Sequence, residues 1–172
     1  MSTDSRLRWA KIGILLGRLA LAAIFLVAAY AKMKPQISLP WSLASIKTSL
    51  AMFALQVDSY QMLAPAHVSL VAHVLPPLEL LVGLWLLSGI FPRASSVVTA
   101  ILIAAFFSLT IRTYARGLEI SCGCFGPGGK LGIGTIFRDG SFLALALAVT
   151  IGTFLLAKKS AATFPKFSKA SV

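Results

Sequence analysis

The chain is predicted to be an all-α integral membrane protein, a four-helix transmembrane bundle. Three observations carry that prediction. First, 58% of the 172 residues are hydrophobic and only 12% are charged, with a mean hydropathy of +0.87. A soluble domain carries roughly 25% charged residues, so much of this exterior must face lipid. Second, four stretches approach the ~20 apolar residues needed to cross a bilayer. Third, the excess of Lys and Arg (16 against five acids, net charge +11) falls mainly between and beyond those stretches. Basic residues so placed act as topology signals and headgroup contacts. They form no stripe of the kind that binds nucleic acid, so a nucleic-acid partner is not expected.

Each span has its own signature. Backbone amides in lipid must be satisfied within the segment, which makes all four helical. The first covers 12–31, broken only by Arg18; the second covers 68–90 and holds His73, Pro76, Pro77 and Glu79. The third runs from 94 to about 114, and the fourth, 140–157, is uncharged. The whole chain, 1–172, is treated as one domain.

The connections differ in kind. Phe91–Arg93 is a tight turn around Pro92, making the second and third spans antiparallel neighbours. Residues 32–65 contain Leu43, Ile46, Leu50, Phe53 and Val57 at helical spacing, with Ser45 and Ser49 elsewhere on the wheel. That segment is expected to be an interfacial helix with Trp41 as anchor. Residues 112–138 carry seven glycines and both cysteines of the chain.

Orientation follows from charge near the span ends. A cytoplasmic N-terminus and the Lys158-Lys159 pair after the last span place both termini inside and the two long connections outside. The count alone is nearly even, eight Lys and Arg inside against seven outside. The N-terminal segment also resembles a secretory signal ending at Ala29-Tyr30-Ala31. Its apolar run suits a retained span better, and either outcome leaves residue 32 outside.

Chemistry concentrates in Ser121-Cys122-Gly123-Cys124-Phe125-Gly126. Two sulfurs one residue apart suit reversible thiol–disulfide exchange, and a disulfide between them would close a small, strained, readily exchanged ring. Arg112, Arg116 and Lys130 supply positive charge that favours thiolate. The alternatives are a static loop staple, two unpaired thiols, or a zinc site completed by His67 or His73; no metal site is committed to. Glu79 is the only Asp or Glu within the expected spans, and Arg18 the only Lys or Arg away from their ends. Their Cα heights differ by roughly 8 Å at 1.5 Å rise per residue, so an Arg18–Glu79 ion pair holding the bundle is expected.

Pro77-Leu78-Glu79-Leu80-Leu81-Val82-Gly83, Arg116-Gly117, Cys122-Gly123-Cys124-Phe125-Gly126 and Arg138-Asp139, with Arg18 and Lys32 bracketing the first span, resemble the methylamine-utilisation membrane proteins of the MauE family, within the wider DoxX-like group. The resemblance runs from about Gly17 to Leu147. It implies a multi-pass protein of the bacterial inner membrane that helps mature the small, disulfide-rich β-subunit of methylamine dehydrogenase. A thioredoxin-like periplasmic protein is the implied partner. DoxX-like relatives also include components of quinone-linked electron transfer.

Three roles follow: a thiol–disulfide partner using Cys122 and Cys124, a non-catalytic membrane scaffold, or a quinone-linked subunit. The last predicts a hydrophobic pocket near Glu79 or His73. No cofactor is required by the sequence, and a quinone is the candidate if one is used. Whether the chain is itself an enzyme stays open.

Overall fold

Helices account for every regular element among the described residues, and no strand occurs there. The computed structural model describes residues 3–34, 42–118 and 132–163. Five helices follow in order: α1 (Thr3–Met33), α2 (Leu43–Ser59), α3 (Pro65–Ser88), α4 (Pro92–Ala115) and α5 (Ile133–Thr163). All but α2 are long and apolar enough to cross a membrane, which makes the chain a multi-pass membrane protein in a lipid bilayer.

The helices bury narrow inward stripes. On α1 the stripe is Leu21, Ala22, Phe25, Ala28, Ala29 and Lys32, the i, i+3, i+4, i+7 recurrence of one helix face. On α4 it is largely hydroxylic: Ser95, Ser96, Thr99, Thr110 and Thr113 are buried while Ile101 and Ile111 face outward. Small residues at helix interfaces and large apolar ones outside are what lipid selects, because oil offers no hydrophobic drive between helices. Most of these hydroxyls donate to carbonyls of their own helix; Thr150 of α5 lies 3.1 Å from the Ser96 carbonyl, joining α5 to α4.

Three glycines, Gly17 on α1 itself, Gly83 on α3 and Gly152 on α5, set the approach of α1 to its neighbours. A Cβ at Gly83 would stand 2.9 Å from Leu26 Cγ, and one at Gly152 would stand 2.9 Å from Ile14 Cγ1. Gly89 caps α3 with φ +70, and Phe91 takes φ 48 just before Pro92 opens α4. The chain therefore reverses over residues 89–91. Arg93, expected in the turn, already belongs to α4.

α3 continues through Pro76 and Pro77, the first buried and the second exposed. α5 begins seven residues before the expected span, so Arg138 and Asp139 lie within a helix. The α2 helix forms where expected but presents a different face. Ser45, Ser49 and Phe53 are buried, whereas Leu43 is 80% exposed. The reason is local. Ser42 and Ser45 form a capping box at its start, and the Ser49 hydroxyl donates to the Lys34 carbonyl at 3.1 Å. Short hydroxyl side chains let α2 close on the end of α1, which a leucine face would hold away. α2 also packs along α3, so it covers the part of α3 that α1 does not reach.

Candidate functional site

A cavity of about 480 Å3 lies among all five helices. Phe25, Phe53, Leu75, Ile103, Phe106 and Phe142 supply apolar wall from α1 to α5. Its polar lining is sparse and mostly ionisable: Lys32, Glu79, Asp139 and Arg112, with Thr110, Gln56 and Tyr60. Volume and composition match a small-molecule site, apolar walls with a few convergent polar groups.

Lys32 and Glu79 form the centre of that lining. Lys32 Nζ donates to both carboxylate oxygens of Glu79, at 2.6 and 2.7 Å. Lys32 is 6% exposed and Glu79 2%, so the pair is shut off from bulk solvent. The ammonium also stands 5.4 Å from the Phe53 ring centroid and 5.8 Å from that of Phe106. Two π faces add attraction to a desolvated cation.

This corrects the ion pair expected from sequence. Arg18 does not meet Glu79; its Nη2 donates to the Leu86 carbonyl at 2.8 Å, in the last turn of α3. The height argument failed because the spans do not start level. α1 stops partway along α3, so its penultimate residue Lys32 stands near Glu79, and Arg18 stands opposite the end of α3. There its cation satisfies a carbonyl that the helix leaves without a partner, where the helix dipole also favours positive charge. Arg18 Nε is buried without a hydrogen bond.

A second acid closes the cavity on the α5 side. Asp139 is 6% exposed; its Oδ1 accepts from Arg138 Nε at 3.0 Å and pairs with Arg138 Nη2 at 2.9 Å. Its Oδ2 lies 3.1 Å from the Thr110 hydroxyl. Each buried carboxylate thus has its own cation. Lys32 and Asp139 are singled out in the sequence only by the family resemblance, with no site role, and Thr110 not at all. Lys32 and Asp139 flank the expected spans by one residue, and that proximity was the available signal.

The other expected residues separate. Arg112, in the last turn of α4, is exposed at the cavity. Arg116 Nη1 donates to the Gln61 carbonyl at 3.3 Å, joining α4 to the turn before α3. His67 and His73 are exposed, and His73 Nδ1 lies 2.7 Å from the Ser69 carbonyl of its own helix. No group of three His, Cys, Asp or Glu side chains suited to a metal ion occurs among the described residues. Cys122, Cys124, Lys130 and Trp41 lie outside the described residues.

The family described as "Methylamine utilisation protein MauE" matches residues 10–152. The chain belongs to the MauE family. That match takes in both cysteines, Lys32, Glu79 and Asp139, so the cavity and the Cys-x-Cys pair both fall within the family unit. Comparison with curated proteins and with solved structures returned no match. The MauE-family chain is accordingly a multi-pass membrane protein of methylamine utilisation.

Proposed function

We propose that this MauE-family protein supports thiol–disulfide maturation of a periplasmic protein, such as the disulfide-rich β-subunit of methylamine dehydrogenase. In this reading the protein sits in the bacterial inner membrane with both termini cytoplasmic and the cysteine segment periplasmic, where disulfides persist. Cys122 and Cys124 are the redox pair. A partner thiolate attacks the Cys122–Cys124 disulfide, a mixed disulfide forms, and the partner's second thiolate resolves it, leaving a disulfide in the partner and both cysteines reduced. Two electrons and two protons move from the partner to the pair in each round, an oxidant of the quinone class restores the disulfide, and a thioredoxin-like protein is the fitting partner.

One observation carries the reading: family membership that includes the cysteine pair. The basic residues near it in the chain support it. Arg112 and Arg116 end α4 and Arg138 lies near the start of α5, so positive charge flanks the segment on both sides. Such charge favours the nucleophilic thiolate.

Alkylation with a thiol-specific mass tag tests the proposal. In intact cells the pair is expected to react only after reductant, and Cys122→Ser or Cys124→Ser is expected to trap one periplasmic protein as a mixed disulfide. A pair that labels fully without reductant, together with normal client maturation in the double Ser variant, would refute it.

A second reading has its own support. The cavity beside Glu79 favours a quinone-linked subunit, for which a hydrophobic pocket near Glu79 or His73 is expected, and a quinone is the cofactor of that reading. It differs from the first in predicting that this quinone is held in the cavity of the chain itself.

A further inference from the structure

We propose that the cavity is a binding site for a neutral, ring-bearing, membrane-soluble carbonyl compound of the quinone class, held at its head by Lys32. Three features of the lining favour that chemistry over the acyl chain of a phospholipid or a charged metabolite.

The first is the donor. An ammonium has three N–H groups. Two of those on Lys32 are taken by Glu79, and the only further contacts of its Nζ among the described residues are the faces of Phe53 and Phe106. One donor beside the cavity therefore lacks an oxygen acceptor, which a carbonyl supplies. An acyl chain has none to offer.

The second is charge. Lys32 is matched by Glu79 and Asp139 by Arg138, leaving only the exposed Arg112 at the cavity. A cationic head would have to be desolvated with no counter-ion left for it, and an anionic one would find only Arg112, which is exposed rather than buried with the pair. A neutral head escapes that cost.

The third is shape. Phe25, Phe53, Phe106 and Phe142 approach from four different helices, a lining suited to a flat ring. A volume near 480 Å3 holds a substituted ring and the start of its tail.

Occupancy of this site is independent of the thiol chemistry. If both hold, an oxidised quinone is the class of acceptor that re-forms the disulfide. Two thiols lose two protons and two electrons to it, one S–S bond forms, and the quinol leaves. That extension rests on the thiol reading under Proposed function, whereas the binding site rests on and deepens the quinone-linked one.

The test uses the full chain purified into lipid nanodiscs and a photoactivatable short-tailed benzoquinone. Crosslinks are expected on cavity-lining residues of α1, α2 and α4. They should be competed by unlabelled short-tailed benzoquinone and not by an alkane of equal length or by added phospholipid. Ala28→Phe, which fills the cavity from α1, is expected to weaken binding at least tenfold. Ala105→Phe fills it from α4 and serves if the first variant does not fold. The apolar double variant Lys32→Met/Glu79→Leu is expected to lose about the same factor while remaining folded. Labelling confined to outward positions such as Leu70, Leu81 and Ile101, equal competition by phospholipid, or unchanged affinity in the filled variants would overturn the proposal. Failure of the cysteine trapping experiment, with crosslinking intact, would overturn the thiol reading alone.

Discussion

Removing Lys32 while leaving Glu79 is expected to be the most damaging single change in the bundle. The structure sets the scale. Two hydrogen bonds of 2.6 and 2.7 Å join side chains that are 4% and 3% exposed. Breaking such a pair from one side strands a buried charge, at about 3–5 kcal/mol. For a chain of this size each kcal/mol moves Tm by about 2–4 °C, so Lys32→Met should lower Tm by about 6–20 °C. Glu79→Gln should cost less, because the amide oxygen still accepts one N–H from Lys32. Replacing both partners, Lys32→Met/Glu79→Leu, should recover most of the loss, since apolar substitutes for a buried pair are often neutral or stabilising by about 1–4 kcal/mol. Arg18→Met removes one charged hydrogen bond at the end of α3 and should cost about 1–2 kcal/mol, additively with Glu79→Gln. Tryptophan fluorescence during thermal unfolding in nanodiscs measures the parent, these four variants and the Arg18→Met/Glu79→Gln double variant. A Lys32→Met Tm within 2 °C of the parent, or Arg18 and Glu79 changes non-additive by more than about 1 kcal/mol, would refute the assigned pairing.

Three further expectations concern packing, polarity and backbone. Gly83→Val puts carbon into the 2.9 Å approach to Leu26 and should cost about 1–3 kcal/mol, visible in the same unfolding assay. Thr110→Val removes the hydroxyl beside Asp139 Oδ2 and should cost about 1 kcal/mol; a stabilised variant would show the bond to be of no account. Phe91→Gly relieves a left-handed residue that is 73% exposed, and its Tm should equal or exceed the parent value.

The spans were legible because lipid imposes one periodicity and one length on whatever crosses it. Element boundaries were harder wherever a charge stood at a span end. Arg138 ended the expected loop and, with Asp139, opened the last helix, yet α5 starts earlier, at Ile133, and Asp139 finds Arg138 and Thr110 inside the bundle. Lys32 was counted among the outer flanking charges for the same reason. Hydropathy weighs a lysine by its charge and is blind to a carboxylate 47 positions away that neutralises it. The α2 face was misjudged because Ser45 and Ser49 are polar on any scale. Their value is shortness and a hydroxyl, and both matter only beside a helix end that the sequence does not locate. The cavity was legible only as the pocket near Glu79 or His73 that one of the three roles predicts; its walls were not, since it is a gap among five helices rather than a property of any one.

The division of labour between the two members of the buried pair bears on how the chain enters the bilayer. Lys32 is made first, on a flexible stem one residue from the end of its helix, and such a stem can keep its ammonium among headgroups. Glu79 arrives later and has no comparable refuge, being deep within the least hydropathic of the four spans. A cation already in place beside Glu79 would lower the penalty for releasing that span into lipid, and the longer side chain is on the helix made first.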